Sequence, residues 1–212
     1  MSGQSALSPL DLAALLCSRV CHDLISPVGA IVNGLEVLDE KESDEETKTF
    51  ALDLIRKSAR TASARLQFCR IAFGAAGSAG AQIDLGDAQT TARGFIEDDR
   101  TKLTWNLERL LLPKNRVKLL LNMLIIATQA IPRGGVLTVD PIGSGDTLSF
   151  KVTATGTNIR VPPTLPPLLA GTNETAVDAQ GIQAHYTGLL ARSCDLTVNM
   201  ALEGESVVVT AQ

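Results

Sequence analysis

From Leu12 to Leu38 an apolar residue returns every three or four positions: Leu12, Leu15, Leu16, Val20, Leu24, Ile31, Leu35 and Leu38. That spacing predicts one long helix over about residues 9–39 with a broad apolar stripe. Ser8 is placed to cap it, and Pro9 suits the first turn, where its missing N–H has no partner to lose. The acidic stretch 39–46 has no apolar period and reads as a solvated connection. A second helix is expected over about 46–73, carrying Phe50, Leu54, Ile55, Leu66, Phe68, Ile71 and Phe73, and ending at the Gly/Ala/Ser run 74–80. The short connection makes the pair an antiparallel hairpin. Two helices cannot bury so much apolar surface alone, so two copies are expected to pair as a homodimeric four-helix bundle.

Past 80 the pattern changes to alternating helices and strands. Helices are predicted near 86–98, 114–131 and 180–193, with strands at 103–107, 136–140, 148–154, 196–202 and 206–210. The expected fold class is α+β: a helical hairpin domain, residues 1–76, followed by a two-layer α/β sandwich with a mixed sheet, residues 81–212. The run between them reads as a linker.

The chain has 212 residues, 45% of them hydrophobic and 20% charged, enough for two modest cores. A net charge of −4 with no long basic tract gives nucleic acid no electrostatic footprint. Apolar runs are broken by Arg, Asn, Lys or Gln well before 18 residues, and no basic region precedes an apolar core at the N-terminus. No membrane partner and a cytoplasmic location are expected. Cys17, Cys21, Cys69 and Cys194 lack paired zinc-type spacing and read as reduced structural thiols, with no metal site.

His22 is one of two histidines, and it lies beside the first helix's stripe. An imidazole nitrogen is nucleophilic near neutral pH, and Asp23 is placed to accept the other ring N–H and fix the tautomer. Pro27 cannot donate to the carbonyl of Asp23, so a bend is expected one turn past the histidine. With the turn centred near Ser43, His22 lies level with Ala62, Ala64 and Arg65. A lone histidine on an apolar helix is equally compatible with a packed or solvated structural residue, which is also the reading for His185. Trp105, in an alternating strand, reads as core.

The string Cys21-His22-Asp23-Leu24-Ile25-Ser26-Pro27, followed by a second helix and a sandwich, resembles a histidine kinase core, whose phosphoacceptor motif commonly reads Ser-His-Glu-x-x-Thr-Pro. The nucleotide-binding pattern departs from that family. Ile126 stands where kinases place a magnesium-binding Asn, Ala154 where an Asp accepts from adenine, and Gly181-Ile182-Gln183-Ala184-His185 where a glycine-rich loop approaches phosphates. With Leu66 to Gly74 and the Ile131-Pro132-Arg133-Gly134-Gly135 turn, the chain is similar over nearly its whole length to the ChpT-type histidine phosphotransferases of alphaproteobacterial phosphorelays.

That resemblance implies an enzyme that transfers phosphoryl groups without autokinase activity. It would take the group from the receiver-domain aspartate of a CckA-like hybrid histidine kinase onto His22, then pass it to CtrA-like and CpdR-like response regulators in cell-cycle control. The implied catalytic residues are His22 as nucleophile, Asp23 as orienting base and Ser26 as a nearby hydrogen-bonding group. Arg19, Ile25, Val28, Arg65 and Arg70 are the expected receiver contacts. No cofactor of its own is implied; Mg²⁺ would arrive bound to the receiver. Three rival readings remain: a non-catalytic receiver-binding scaffold, a kinase with a divergent nucleotide pocket, and a metal-dependent phosphohydrolase of the His-Asp class. The last is disfavoured by having only two histidines.

Overall fold

The computed structural model of the chain describes residues 7–74, 80–173 and 176–212. Helix α1 spans Pro9–Asp39, and the Ser8 side chain accepts from the Asp11 amide as its cap. Helix α2 spans Glu45–Ala72, capped by Asp44, whose carboxylate accepts from the Thr47 amide at 2.7 Å. Both helices begin as the capping chemistry of the sequence dictates. They pack as an antiparallel hairpin with close approach at Gly34. A Cβ there would sit 2.6 Å from Ile55 Cγ1 and 3.2 Å from the Ala51 carbonyl, which only a glycine avoids.

The expected bend at Pro27 does not interrupt α1, which continues helical through a buried Pro27. By length and composition α1 is apolar enough to cross a membrane. In the single chain its apolar residues Ile25, Val28, Val32 and Leu35 are largely exposed, as is Phe50 on α2.

Beyond the hairpin, β1 (Gln82–Asp84) leads into α3 (Leu85–Ile96), β2 (Thr101–Trp105), β3 (Leu111–Pro113) and α4 (Lys114–Thr128). Then follow β4 (Gly135–Ile142), β5 (Ser149–Gly156), α5 (Leu165–Ala170), α6 (Ile182–Arg192), β6 (Val198–Glu203) and β7 (Ser206–Ala211). The main sheet has the order β2-β4-β5-β7-β6, with β2 parallel to β4 and the other pairs antiparallel. It is the mixed sheet of an α+β protein. Three features were not predicted: the two-stranded pairing of β1 with β3, the short α5, and a 3₁₀ turn at Gly145–Thr147. Helix α4 also stops at Thr128, short of Ile131.

One face of the sheet carries the core. Leu103, Leu137, Ala154 and Val207 stand in register across four strands, and Val139, Val152 and Val209 form a second row. All seven are buried, and α4 lies over them with every residue from Val117 to Ala127 buried. Gly134 turns the chain into β4 with φ of 87°; a Cβ there would strike the Arg100 carbonyl at 2.5 Å.

The hairpin is joined to this core directly. Phe68 and Ala72 at the end of α2 are fully buried in the same apolar cluster as the sheet. Phe68 stacks on Phe95 of α3 at 4.0 Å between ring centroids, and Phe73 packs against Tyr186 of α6. Beside them, buried Asn122 of α4 donates its amide to the Ala72 carbonyl at 3.0 Å and to the Lys118 carbonyl at 2.7 Å. Gln183 of α6 donates in turn to Asn122 Oδ1 at 2.5 Å. One polar chain thus ties α6, α4 and the last turn of α2 together, satisfying a carbonyl that a helix end would otherwise leave open. Residues 75–79 of the expected linker lie outside the described residues.

Candidate functional site

His22 sits midway along α1 with its side chain 85% exposed. Its Nδ1 lies 3.4 Å from Asp23 Oδ1. A carboxylate can only accept, so in this contact Nδ1 carries the proton and Nε2 is left as the free, nucleophilic nitrogen. The separation is long for a hydrogen bond, as such pairs commonly are before a substrate binds.

Asp23 is more enclosed, with 17% of its side chain exposed, and each of its acceptor groups is used. Oδ1 faces His22. Oδ2 accepts from Arg19 Nε, one turn earlier on α1, at 3.2 Å. Its main-chain carbonyl, deprived of an N–H by Pro27, accepts from Nη1 of Arg65 on α2. Beneath lies the buried Cys69, whose thiol is pushed up to about 11, first by burial and then by the charge of Asp23. It stays protonated and unreactive. Cys17 and Cys21, expected as structural thiols, are exposed instead. No group of metal-ligating side chains is found among the described residues.

The residues expected around His22 therefore separate into two sets. Arg19 and Arg65 turn inward onto Asp23. Ile25, 71% exposed, and Val28, 48% exposed, present apolar surface beside the histidine, and Arg70 is exposed in the last turn of α2. Ser26 is exposed and bonds neither His22 nor Asp23. The Arg19–Asp23 ion pair was readable from its four-residue spacing. What sequence alone did not show is a cleft of about 330 Å³ where the hairpin meets the sandwich, walled by Arg19, Asp23 and Arg65 on one side and by Asp98, Arg100 and Thr128 on the other. Asp98 there accepts from the amides of Arg100 and Thr101, and those bonds hold its carboxyl below the usual range.

The residues present do not fit a kinase-type nucleotide site. Ile126 and Ala154 are fully buried members of the apolar core. Gln183 is likewise enclosed and bonded to Asn122. At the start of α6, where a phosphate would meet free amides, Asp178 Oδ1 already accepts from the Gln180 and Gly181 amides at 3.0 and 2.7 Å. His185 on α6 is partly buried, and its Nδ1 has no protein partner among the described residues. Trp105 packs against the core as expected.

The site is thus an exposed histidine paired with a carboxylate, carried on a helical hairpin that is docked to an α/β sandwich. Residues 85–206 match the family model for the histidine phosphotransferase C-terminal domain. The chain is 52% identical to the protein phosphotransferase ChpT of Brucella abortus (strain 2308), covering 100% of both chains. It is also similar to a solved structure of a bacterial phosphotransferase, at 50% identity and a TM-score of 0.86 over 98% of each chain. The chain belongs to the histidine phosphotransferase family.

Proposed function

We propose that the chain carries phosphoryl groups on His22 between receiver domains. The observation that carries this reading is the geometry of His22: an exposed imidazole whose Nδ1 faces the Asp23 carboxylate, with that residue held at its carboxylate by Arg19 and at its main-chain carbonyl by Arg65, leaving Nε2 open to a partner. In the forward step the Nε2 lone pair attacks the phosphorus of a receiver's aspartyl phosphate. The N–P bond forms as the P–O bond breaks, and its electron pair leaves with the receiver's carboxylate. The proton stays on Nδ1, and the Asp23 carboxylate offsets the positive charge of the phosphoimidazole. A second receiver reverses the step.

Such transfers pass through a loose transition state that needs alignment and charge neutralisation more than covalent help. Mg²⁺ bound in the receiver's own acidic pocket would neutralise the moving oxygens. Ile25 and Val28 supply an apolar rim for the receiver, with Arg70 further along α2. The donor is a CckA-like hybrid kinase receiver and the acceptors are CtrA-like and CpdR-like regulators, so the setting is cell-cycle control in the cytoplasm. The exposed apolar residues of the hairpin are covered by a second copy in a four-helix bundle.

The test offers purified protein and its His22→Ala variant labelled ATP alone, or a labelled phospho-receiver with Mg²⁺. Label reaching only the wild type, and only from the receiver, is the expected result. Label from ATP alone would refute the reading in favour of a kinase, and none from either source would leave a binding scaffold.

A further inference from the structure

We infer that Arg19 is a positioning residue for phosphotransfer, acting on His22 through Asp23 and not by touching the receiver. This inference rests on the reading of His22 as phosphoacceptor and adds a role for its neighbour. Arg19 Nε donates to Asp23 Oδ2 at 3.2 Å, while the other oxygen of the same carboxylate faces His22 Nδ1 at 3.4 Å. The guanidinium is partly buried, with 26% of its side chain exposed, and it lines the floor of the cleft at the domain junction while His22 stands out in solvent. A carboxylate on a flexible side chain has several rotamers. Bonding one oxygen to Arg19 selects the rotamer that turns the other toward the imidazole.

The arrangement has a second support. Arg65 fixes the main chain of Asp23 from α2, so the residue is held at its carbonyl from one helix and at its carboxylate from the other. Asp98 and Arg100 from the sandwich line the same cleft, and Cys69 lies beneath as a neutral thiol, so the carboxylate's charged surroundings are Arg19, Arg65, Asp98 and Arg100. Of these, Arg19 is the one that hydrogen-bonds the carboxylate itself among the described residues. Released from Arg19, the carboxylate swings from Nδ1, and the imidazole divides its proton between the two nitrogens. Only the Nδ1–H form presents Nε2 to phosphorus.

The experiment compares wild type, Arg19→Gln, Arg19→Lys, Asp23→Asn and the double variant Arg19→Gln/Asp23→Asn in three assays. The first is transfer from a phospho-receiver at saturating and limiting concentrations, the second is phosphorylation by potassium phosphoramidate without any protein partner, and the third is the ¹⁵N spectrum of the His22 ring. Arg19→Gln should lower the saturated rate and the phosphoramidate rate by about tenfold, less than the roughly 10²–10⁴-fold of an acid–base group that touches the reacting atoms, because Arg19 acts through Asp23. It should also raise the Nε2–H tautomer, with Arg19→Lys recovering part of each effect. In the Asp23→Asn background Arg19→Gln should cause no further loss. A higher half-saturating receiver concentration with unchanged saturated rate and tautomer would overturn the inference and make Arg19 a docking contact. Additive losses in the double variant would overturn it as well. Failure of the wild type to accept from any receiver, with the tautomer effect intact, would instead count against the phosphotransfer reading alone.

Discussion

Arg65 on α2 donates to the main-chain carbonyl of Asp23 on α1, the one acceptor that Pro27 deprives of its helical partner. The proline and the arginine are thus two halves of one device. Pro27 opens a hydrogen-bonding position in the middle of α1, and Arg65 uses it to fasten the second helix one residue past the histidine. In an ordinary helix that carbonyl would already accept from the amide of residue 27 and would be a weaker target for Arg65.

Pro27→Ala restores an N–H for that carbonyl, so the two residues should be coupled. Arg65→Gln should lower stability by about 1 kcal/mol in the wild type, the worth of one hydrogen bond, and by less in the Pro27→Ala background. Urea denaturation of the four proteins measures this, and equal losses in both backgrounds would refute the coupling.

The junction between hairpin and sandwich rests on Asn122 and Phe68. Asn122→Ala leaves the Ala72 carbonyl and the Gln183 amide buried without partners, and should destabilise by about 3 kcal/mol. Phe68→Ala, which empties a fully buried site stacked on Phe95, should cost about 4 kcal/mol. A single unfolding transition at a lower midpoint with unchanged slope is the expected form, because the two units share one core. Two separated transitions in the wild type would show that they fold independently.

His185 gives the protein a weakness to mild acid. Burial, and then the charge of Arg192, lowers its pKa below the ordinary value. From about pH 6.5, where the unfolded histidine is half protonated, down to the lower folded value, the unfolded state holds more protons, so stability falls as pH falls. Melting curves from pH 7.5 to 5.5 should show a loss that His185→Gln reduces. Asp98, with its carboxyl held low, adds a separate loss only further down, as pH drops from about 4 through its folded value.

Val32 and Leu35 lie on the exposed apolar side of α1, towards the turn and away from His22. If a second copy covers them, Val32→Glu with Leu35→Glu should yield a monomer in sedimentation velocity while the sandwich keeps its fold. A double variant that sediments as the wild type does would place the covering surface elsewhere.

The hairpin was legible because both helices carry long apolar periods, the first opened by the Ser8 cap, and those signals are local; the Asp44 cap of the second was read only as part of an acidic connection. The sandwich followed from the switch to short alternating runs. β1 and β3 were missed because each is three residues long, too short to show a period. α5 was hidden by Pro166 and Pro167, which read as a break although prolines are accepted in a helix's first turn. At the site, the string around His22 displayed the nucleophile and its carboxylate together. The burial of Phe68 against Phe95 and the reach of Arg65 to Asp23 join residues 27 and 42 positions apart. Spacing about the turn put Arg65 level with His22 but did not show that it bonds the Asp23 carbonyl, and no spacing records the Phe68–Phe95 contact, which depends on how α2 is set against the sandwich.

Phe68 lies less than one turn past Arg65, the arginine that steadies the histidine's neighbour, yet its ring belongs to the core of the sheet. A lesion deep in the strands, at Val152 or Val209, would therefore reach the surroundings of His22 through the shared interior. If His22 carries phosphoryl groups, a genetic screen for lost transfer would also recover changes at strand positions buried in that shared interior.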